Sequence, residues 1–359
     1  MKRTTLFLIL ITLLGAIFRC WFFWADGLHV DEKFTIDLIQ NQTLWGVITT
    51  SLTTDCNPPL FYIFDWFTLN LFGISNFAQR LPSVIFGILL IPAACYLGKE
   101  FKSETLGLLS ALAVATLPPL WYYSQFGRAY MLECLLFTIF CIFYIRLIRK
   151  DSATKNWVMV AAMAIALAYS HLFAIIPLTL LLGYLIWEYR LKSLKWMAVV
   201  FVFSSPLLLL FNAMLNWRLT ARQTTLLNWY GATVPQLVVF SPLEYFGYNF
   251  VFWIPMVAYT TWTFRKMKEI PILVVTALTS FIALLSLSDV TPVFMRYLLF
   301  FVPVLVVIGL LPVSEFINNP DYDVRQKVFV IGSFSLFYFA IVVFALDSGL
   351  YMPKGDITL

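Results

Sequence analysis

The chain has 359 residues, of which 61% are hydrophobic, 18% aromatic and only 12% charged, and its mean hydropathy is +0.85. A composition this apolar excludes a water-soluble globule and describes helices whose outer surfaces face lipid. The net charge of +5 is scattered through short segments rather than gathered in a basic run, so no nucleic acid partner is expected.

At the amino terminus Lys2 and Arg3 precede an apolar run from about Thr5 to Trp24. That run reaches the roughly 20 residues a span needs, and no small-residue cleavage pattern follows it, so it reads as a retained first helix rather than a signal peptide. Just beyond it stands an adjacent acidic pair, Asp31 and Glu32, within His29-Val-Asp-Glu-Lys-Phe-Thr35. Residues 33–41 and 44–52 then place apolar positions at helical spacing beside polar ones, which predicts two short amphipathic helices on the bilayer surface. Leu60 to Phe72 is apolar but falls short of a span, and it carries Asp65 and Asn70 in its middle. It reads as a helix in the outer interface, so that one external loop runs from about Asp26 to Arg80.

Further spans are predicted near residues 81–98, 104–122, 129–148, 157–171, 173–188, 196–215, 245–264, 270–287, 296–313 and 328–346, about eleven with the first. Basic clusters fall on one side if these simply alternate: Lys2 and Arg3; Arg146, Arg149 and Lys150; Arg190, Lys192 and Lys195; Arg265, Lys266 and Lys268; Arg325 and Lys327. The positive-inside rule makes that side cytoplasmic, with the carboxy terminus outside. The five cysteines, Cys20, Cys56, Cys95, Cys134 and Cys141, show neither CxxC spacing nor histidines at zinc-site spacing, so neither a disulfide framework nor a metal site is expected.

The polar residues divide unevenly. Asp31, Glu32, Asp55, Arg80, Arg128, Glu133, His171, Arg218, Arg222, Asp289 and Arg296 all fall on the predicted outer side. Arg80, Arg128 and Arg296, each at an outer helix end, run against the orientation bias, and converging guanidinium groups suit a phosphate. Acidic residues beside them suggest transfer chemistry on a lipid phosphate. His171, beside Ser170 at a helix turn, reads as a packed polar residue rather than a ligand. Arg218 and Arg222, four apart, read as headgroup anchors. Asn41-Gln-Thr43 is an external acceptor sequon of a kind common by chance.

Four motifs in order carry a resemblance: Asp31-Glu32 after the first helix, Asp55-Cys-Asn-Pro58-Pro59-Leu60, Arg80-Leu-Pro-Ser, and Tyr123-Ser-Gln-Phe-Gly-Arg128-Ala-Tyr130-Met-Leu. Together they resemble the protein O-mannosyltransferases and the related lipid A aminoarabinose transferases, membrane glycosyltransferases of the GT-C class that use polyprenyl-phosphate sugars. The resemblance covers roughly residues 1–215; residues 216–359 add helices without a soluble domain. It implies an all-α polytopic membrane protein, a GT-C-like bundle in one membrane-embedded domain. By position, Asp31 matches the family's catalytic base and Glu32 its acidic neighbour, while Asp55, Arg80, Arg128, Tyr130 and Arg296 are expected around the donor phosphate and substrate. Asn57 stands where the eukaryotic enzymes carry a histidine, and Glu133 where the family has an aspartate.

The implied activity is a mannosyltransferase-like hexosyl transfer at the extracytoplasmic face of the plasma membrane. It moves a sugar from a dolichyl or undecaprenyl phosphate to a hydroxyl of a lipid, glycan or protein acceptor, with inversion. No cofactor is specified, and a divalent metal is left open. A transporter or flippase for a lipid-linked sugar, or a noncatalytic assembly subunit, stands as the alternative; ionisable groups gathered at one face, with no internal repeat, argue against transport.

Overall fold

The computed structural model describes residues 3–21, 23, 27–55, 57–208, 238, 242–243, 245–287 and 294–347, and among these every regular element is helical. Helix α1 (Arg3–Cys20) is followed by two short helices, α2 (Val30–Ile39) and α3 (Leu44–Thr50), where the sequence predicts them. A single π-helical turn (Ser51–Asp55) leads to α4 (Leu60–Phe72), and α5 (Asn76–Phe101) is the long central helix. Next come α6 (Glu104–Thr116), α7 (Pro118–Ser124), α8 (Tyr130–Ile148), α9 (Thr154–Ala168), α10 (Ile175–Tyr189) and α11 (Leu191–Ser204). The carboxy-terminal part holds α12 (Phe250–Thr263), α13 (Glu269–Leu287), α14 (Val302–Asn318) and α15 (Val324–Asp347).

Every predicted span coincides with a helix, but their lengths differ. Six helices among the described residues are long and apolar enough to cross a membrane, and a seventh if the bent α6–α7 pair is one span. Helix α15, at 24 residues, is also of spanning length, whereas the 15-residue α9 and the 14-residue α11 and α12 are shorter than the roughly 20 residues of a straight crossing. The chain is thus a multi-pass membrane protein.

The core is built on α5, α6 and α8. Leu90, Ile91 and Leu97 of α5, Leu106 of α6 and Phe137 and Phe140 of α8 are fully enclosed. Close approach of α5 and α6 depends on two glycines: a Cβ on Gly98 would lie 2.8 Å from the Gly107 backbone. Without a hydrophobic driving force between helices in lipid, such close backbone packing is a main source of cohesion.

The 60° bend between α6 and α7 has a covalent cause. Pro118 and Pro119 have no N–H, so the carbonyls of Val114 and Ala115, four residues earlier, lose their helical donors. Arg19 of α1, completely buried, supplies the replacements: Nη2 donates to Val114 O at 2.9 Å and Nη1 to Ala115 O at 3.1 Å. A charge inside the bundle is thereby explained by a broken helix.

Ion pairs tie together the end opposite the acidic pair. Arg146 bonds Glu100 at 2.7 Å, Arg149 holds Glu269, and Lys150 holds Glu188, which joins the ends of α5, α8, α10 and α13. The basic cluster after α8 therefore sits at one end of the bundle. Arg80, near the start of α5, sits at the other.

Candidate active site

The acidic pair begins α2, and the helix terminus separates its members. His29 is the N-cap: its Nδ1 accepts the Asp31 N–H at 3.2 Å, and the Glu32 carboxylate accepts the His29 N–H at 2.9 Å, completing a capping box. Burial holds the His29 imidazole below its usual range, so it caps as a neutral group. Successive residues on a helix point about 100° apart. Glu32 therefore turns inward and is fully buried, while the Asp31 side chain keeps 29% of its surface exposed.

Glu32 is saturated. Besides His29, it accepts Arg80 Nε at 2.9 Å and Nη2 at 3.0 Å, and the Gly127 N–H at 2.8 Å. Arg80 also donates to the carbonyls of Phe23 at 3.3 Å and Gly27 at 2.7 Å. Neither Glu32 nor Arg80 lines the cavity described below. Both were expected at the site; they lie behind this cavity, where they clamp α2 to α5 and to the α7–α8 link. Gly127 in that link admits no side chain, because a Cβ would meet Gln79 O and Cγ at 2.8 Å. The next residue is Arg128.

In front of this clamp lies a cavity of about 140 Å³. Asp31 enters it from α2, Phe61 and Tyr62 from α4, and Asn57 and Pro58 from the loop between them. Arg128 and Tyr130 come from the start of α8, and Ser170 and His171 from the turn after α9. Phe294, Arg296 and Tyr297 close it, the last two on a 3-10 turn (Met295–Phe301) that bends at Leu298. A backbone bond from Leu60 N–H to Tyr169 O, 3.0 Å long, fixes the start of α4 against the turn that bears His171.

Two guanidinium groups and one carboxylate dominate the cavity. Arg296 donates from Nη2 to Asp31 Oδ2 at 2.8 Å and from Nε to the Tyr130 hydroxyl at 2.8 Å. Its guanidinium lies over the Phe294 ring at 4.5 Å, an arrangement that suits arginine. Arg128 donates to Thr35 Oγ1 at 2.9 Å and to the Tyr62 hydroxyl and Asp31 O at 3.3 Å, which fixes it over the same floor. Burial, with the charges of Arg128 and Arg296, drives the His171 imidazole down to about 3.

Of the residues expected at the site, Asp31, Arg128, Tyr130 and Arg296 meet in the cavity. Glu133 lies buried one turn further along α8. The side chain of Asp55, together with Arg218, Arg222 and Asp289, lies outside the described residues. Tyr62, His171 and Tyr297 are cavity residues that the sequence reading did not select. Tyr297 follows Arg296 directly, and His171 stands at an outer helix end, but only the packing of α9, α8 and the 3-10 turn brings them together.

Known proteins share this fold. The dolichyl-phosphate-mannose-protein mannosyltransferase family matches residues 56–217. No curated protein matches the chain by sequence. Among solved structures, ArnT from Cupriavidus metallidurans bound to undecaprenyl phosphate is similar, with a TM-score of 0.66 and 14% identity over 99% of this chain and 66% of that one. Its apo form gives a TM-score of 0.62 at 14% identity, over 86% of this chain and 59% of ArnT. The archaeal oligosaccharyltransferase AglB from Archaeoglobus fulgidus, in complex with an inhibitory peptide and a dolichol-phosphate, gives 0.66 at 12% identity, over 99% of this chain and 57% of AglB. The fold is that of the GT-C class, and the resemblance to the O-mannosyltransferase and aminoarabinose transferase superfamily holds. This chain spans about three fifths to two thirds of the length of these structures.

Proposed function

We propose that this protein is a membrane glycosyltransferase that moves a sugar from a polyprenyl phosphate to an acceptor hydroxyl at the extracytoplasmic face. The observation that carries this reading is one cavity, at the end away from the basic cluster after α8, in which the Asp31 carboxylate lies 2.8 Å from Arg296 with Arg128 beside it. A transferase of this kind needs a base for the acceptor proton and cations for the departing phosphate, and both stand here. The family match over residues 56–217 supports the same donor class.

In this reaction the acceptor oxygen attacks the anomeric carbon as the carbon–oxygen bond to phosphate breaks. Asp31 takes the acceptor proton, and the bond pair leaves on the phosphate, where Arg296 and Arg128 stabilise it. A single displacement inverts the anomeric centre and needs no second carboxylate as nucleophile. Glu32 and Arg80 position the base and Arg128 without touching substrate. The donor phosphate and the Asp31 carboxylate share Arg296, so donor binding draws the guanidinium from one anion toward the other.

Purified protein incubated with a radiolabelled mannosyl undecaprenyl phosphate or dolichyl phosphate and a membrane extract as acceptor tests the assignment. Wild type is expected to release free polyprenyl phosphate. Asp31→Asn is expected to lose that release by at least 100-fold while keeping its elution profile and thermal midpoint. Full transfer by Asp31→Asn would overturn the base assignment.

A further inference from the structure

His171 is a polar cavity residue that the transfer reaction leaves unused. Its backbone is extended, and its Nδ1 accepts the Phe173 N–H at 3.3 Å as the cap of the 3-10 turn Leu172–Ala174. An imidazole nitrogen that accepts carries a lone pair, so the ring proton resides on Nε2. Among the described residues the His171 side chain makes one hydrogen bond, at Nδ1, and Nε2 has no protein acceptor. The ring is held in place by Tyr297 at 4.8 Å between centroids, and Tyr297 adjoins Arg296 in the chain. A fixed N–H donor thus faces a cavity that already contains two guanidinium groups.

Charge decides what such a donor can serve. Burial and the two arginines keep the ring neutral, so His171 is no third cation. Two guanidinium groups already balance the two negative charges of a departing phosphate monoester. A further cation would hold that product back, whereas a neutral donor adds geometry without adding charge. Phosphate oxygens only accept hydrogen bonds, so within the cavity they match the N–H groups of Arg128, Arg296 and His171, while the Asp31 carboxylate is left for the acceptor hydroxyl.

We infer that His171, through Nε2–H, binds a phosphate oxygen of the lipid-linked donor, completing a three-donor cradle with Arg128 and Arg296. This assignment rests on the donor class proposed above.

Two substitutions divide the roles of the ring. Asn at 171 keeps an acceptor where Nδ1 caps the turn but lacks the Nε2 donor; Gln places an N–H near Nε2 and loses the cap. Binding of undecaprenyl phosphate to the full chain in nanodiscs, read by tryptophan fluorescence, is compared with binding of undecaprenol, which has no phosphate. His171→Asn is expected to keep the thermal midpoint and to weaken undecaprenyl phosphate binding about tenfold. His171→Gln is expected to stay within about threefold of wild type, and undecaprenol binding is expected to be equal in all three proteins. Wild-type affinity in His171→Asn, or an equal loss in His171→Gln, would overturn the inference while leaving the donor reading intact. Wild type that binds undecaprenyl phosphate no better than undecaprenol would overturn both.

Discussion

The adjacent carboxylates make opposite demands on the fold, and Glu32→Gln exposes the difference. Glu32 is fully buried and accepts four N–H groups, two of them from Arg80, whose guanidinium keeps only 5% of its side-chain surface exposed. A glutamine matches the shape but offers one accepting oxygen, and it turns an NH2 toward groups that are all donors. Arg80 is left in the interior with its carbonyl partners and without its counter-charge. Removing one member of a buried pair costs about 3–5 kcal/mol, because the surviving charge remains desolvated. For a chain of this size that is a fall of about 4–7 °C in the thermal midpoint. The Asp31–Arg296 pair is more open, with 29% and 18% of the two side-chain surfaces exposed, so Asp31→Asn should cost no more than about 1 kcal/mol. Thermal unfolding in detergent, followed by tryptophan fluorescence beside the transfer assay, separates the two. Replacing both Glu32 and Arg80 with apolar residues should recover part of the loss that either single change causes. A Glu32→Gln protein that melts like wild type yet has lost transfer would refute the structural assignment and return Glu32 to the chemistry.

Three further outcomes are expected. Gly127→Ala forces a Cβ to within 2.8 Å of Gln79, so the link carrying Arg128 must shift; transfer should fall more than stability, which overpacking lowers by about 1–3 kcal/mol, as kinetics and melting measured together will show. Arg19→Met removes the donors for the Val114 and Ala115 carbonyls at the α6–α7 bend and should lower stability by about 3 kcal/mol, with Arg19→Lys recovering less than half, read as thermal midpoints. His171 has its folded-state value lowered to about 3, so the proton prefers the unfolded chain; the group therefore costs no stability above about pH 6.5 and destabilises the fold increasingly as the pH falls toward 3. At pH 5 this amounts to about 2 kcal/mol, and His171→Asn should melt with a shallower decline between pH 7.5 and pH 5 than wild type.

Much of this molecule can be read from local pattern. The amphipathic spacing of residues 33–41 and 44–52 gives α2 and α3, and the shortness of Leu60–Phe72 identifies a helix apart from the spanning set. Hydropathy locates the helices but not their lengths: α9, α11 and α12 are apolar and only 15, 14 and 14 residues long. The site is harder to read because it depends on which face each residue presents. Nothing in the order Asp31-Glu32 says which carboxylate turns inward; that is decided by Arg80 and the Gly127 N–H, 48 and 95 residues away. The arginines divide in the same manner: Arg80, at the head of α5, is taken by Glu32, while Arg296, 265 residues from Asp31, reaches the cavity.

Arg19 shows the same limit from the other direction. An ionisable residue inside a membrane bundle is by default a functional candidate. Here its partners are the Gly15 carbonyl of its own helix and two carbonyls that Pro118 and Pro119 left without donors, which gives its charge a structural cause. The bend it caps turns α7 toward the Phe126-Gly127-Arg128 link, where the Glu32 clamp begins. Glu32 and the two Nη groups of Arg19 are thus bonded within the protein on either side of the link, and that rigidity lets Asp31, Arg128 and Arg296 face a cavity with bonding capacity directed at a ligand. A buried charge supports the site when the protein itself completes its partners, and belongs to the site when the cavity must.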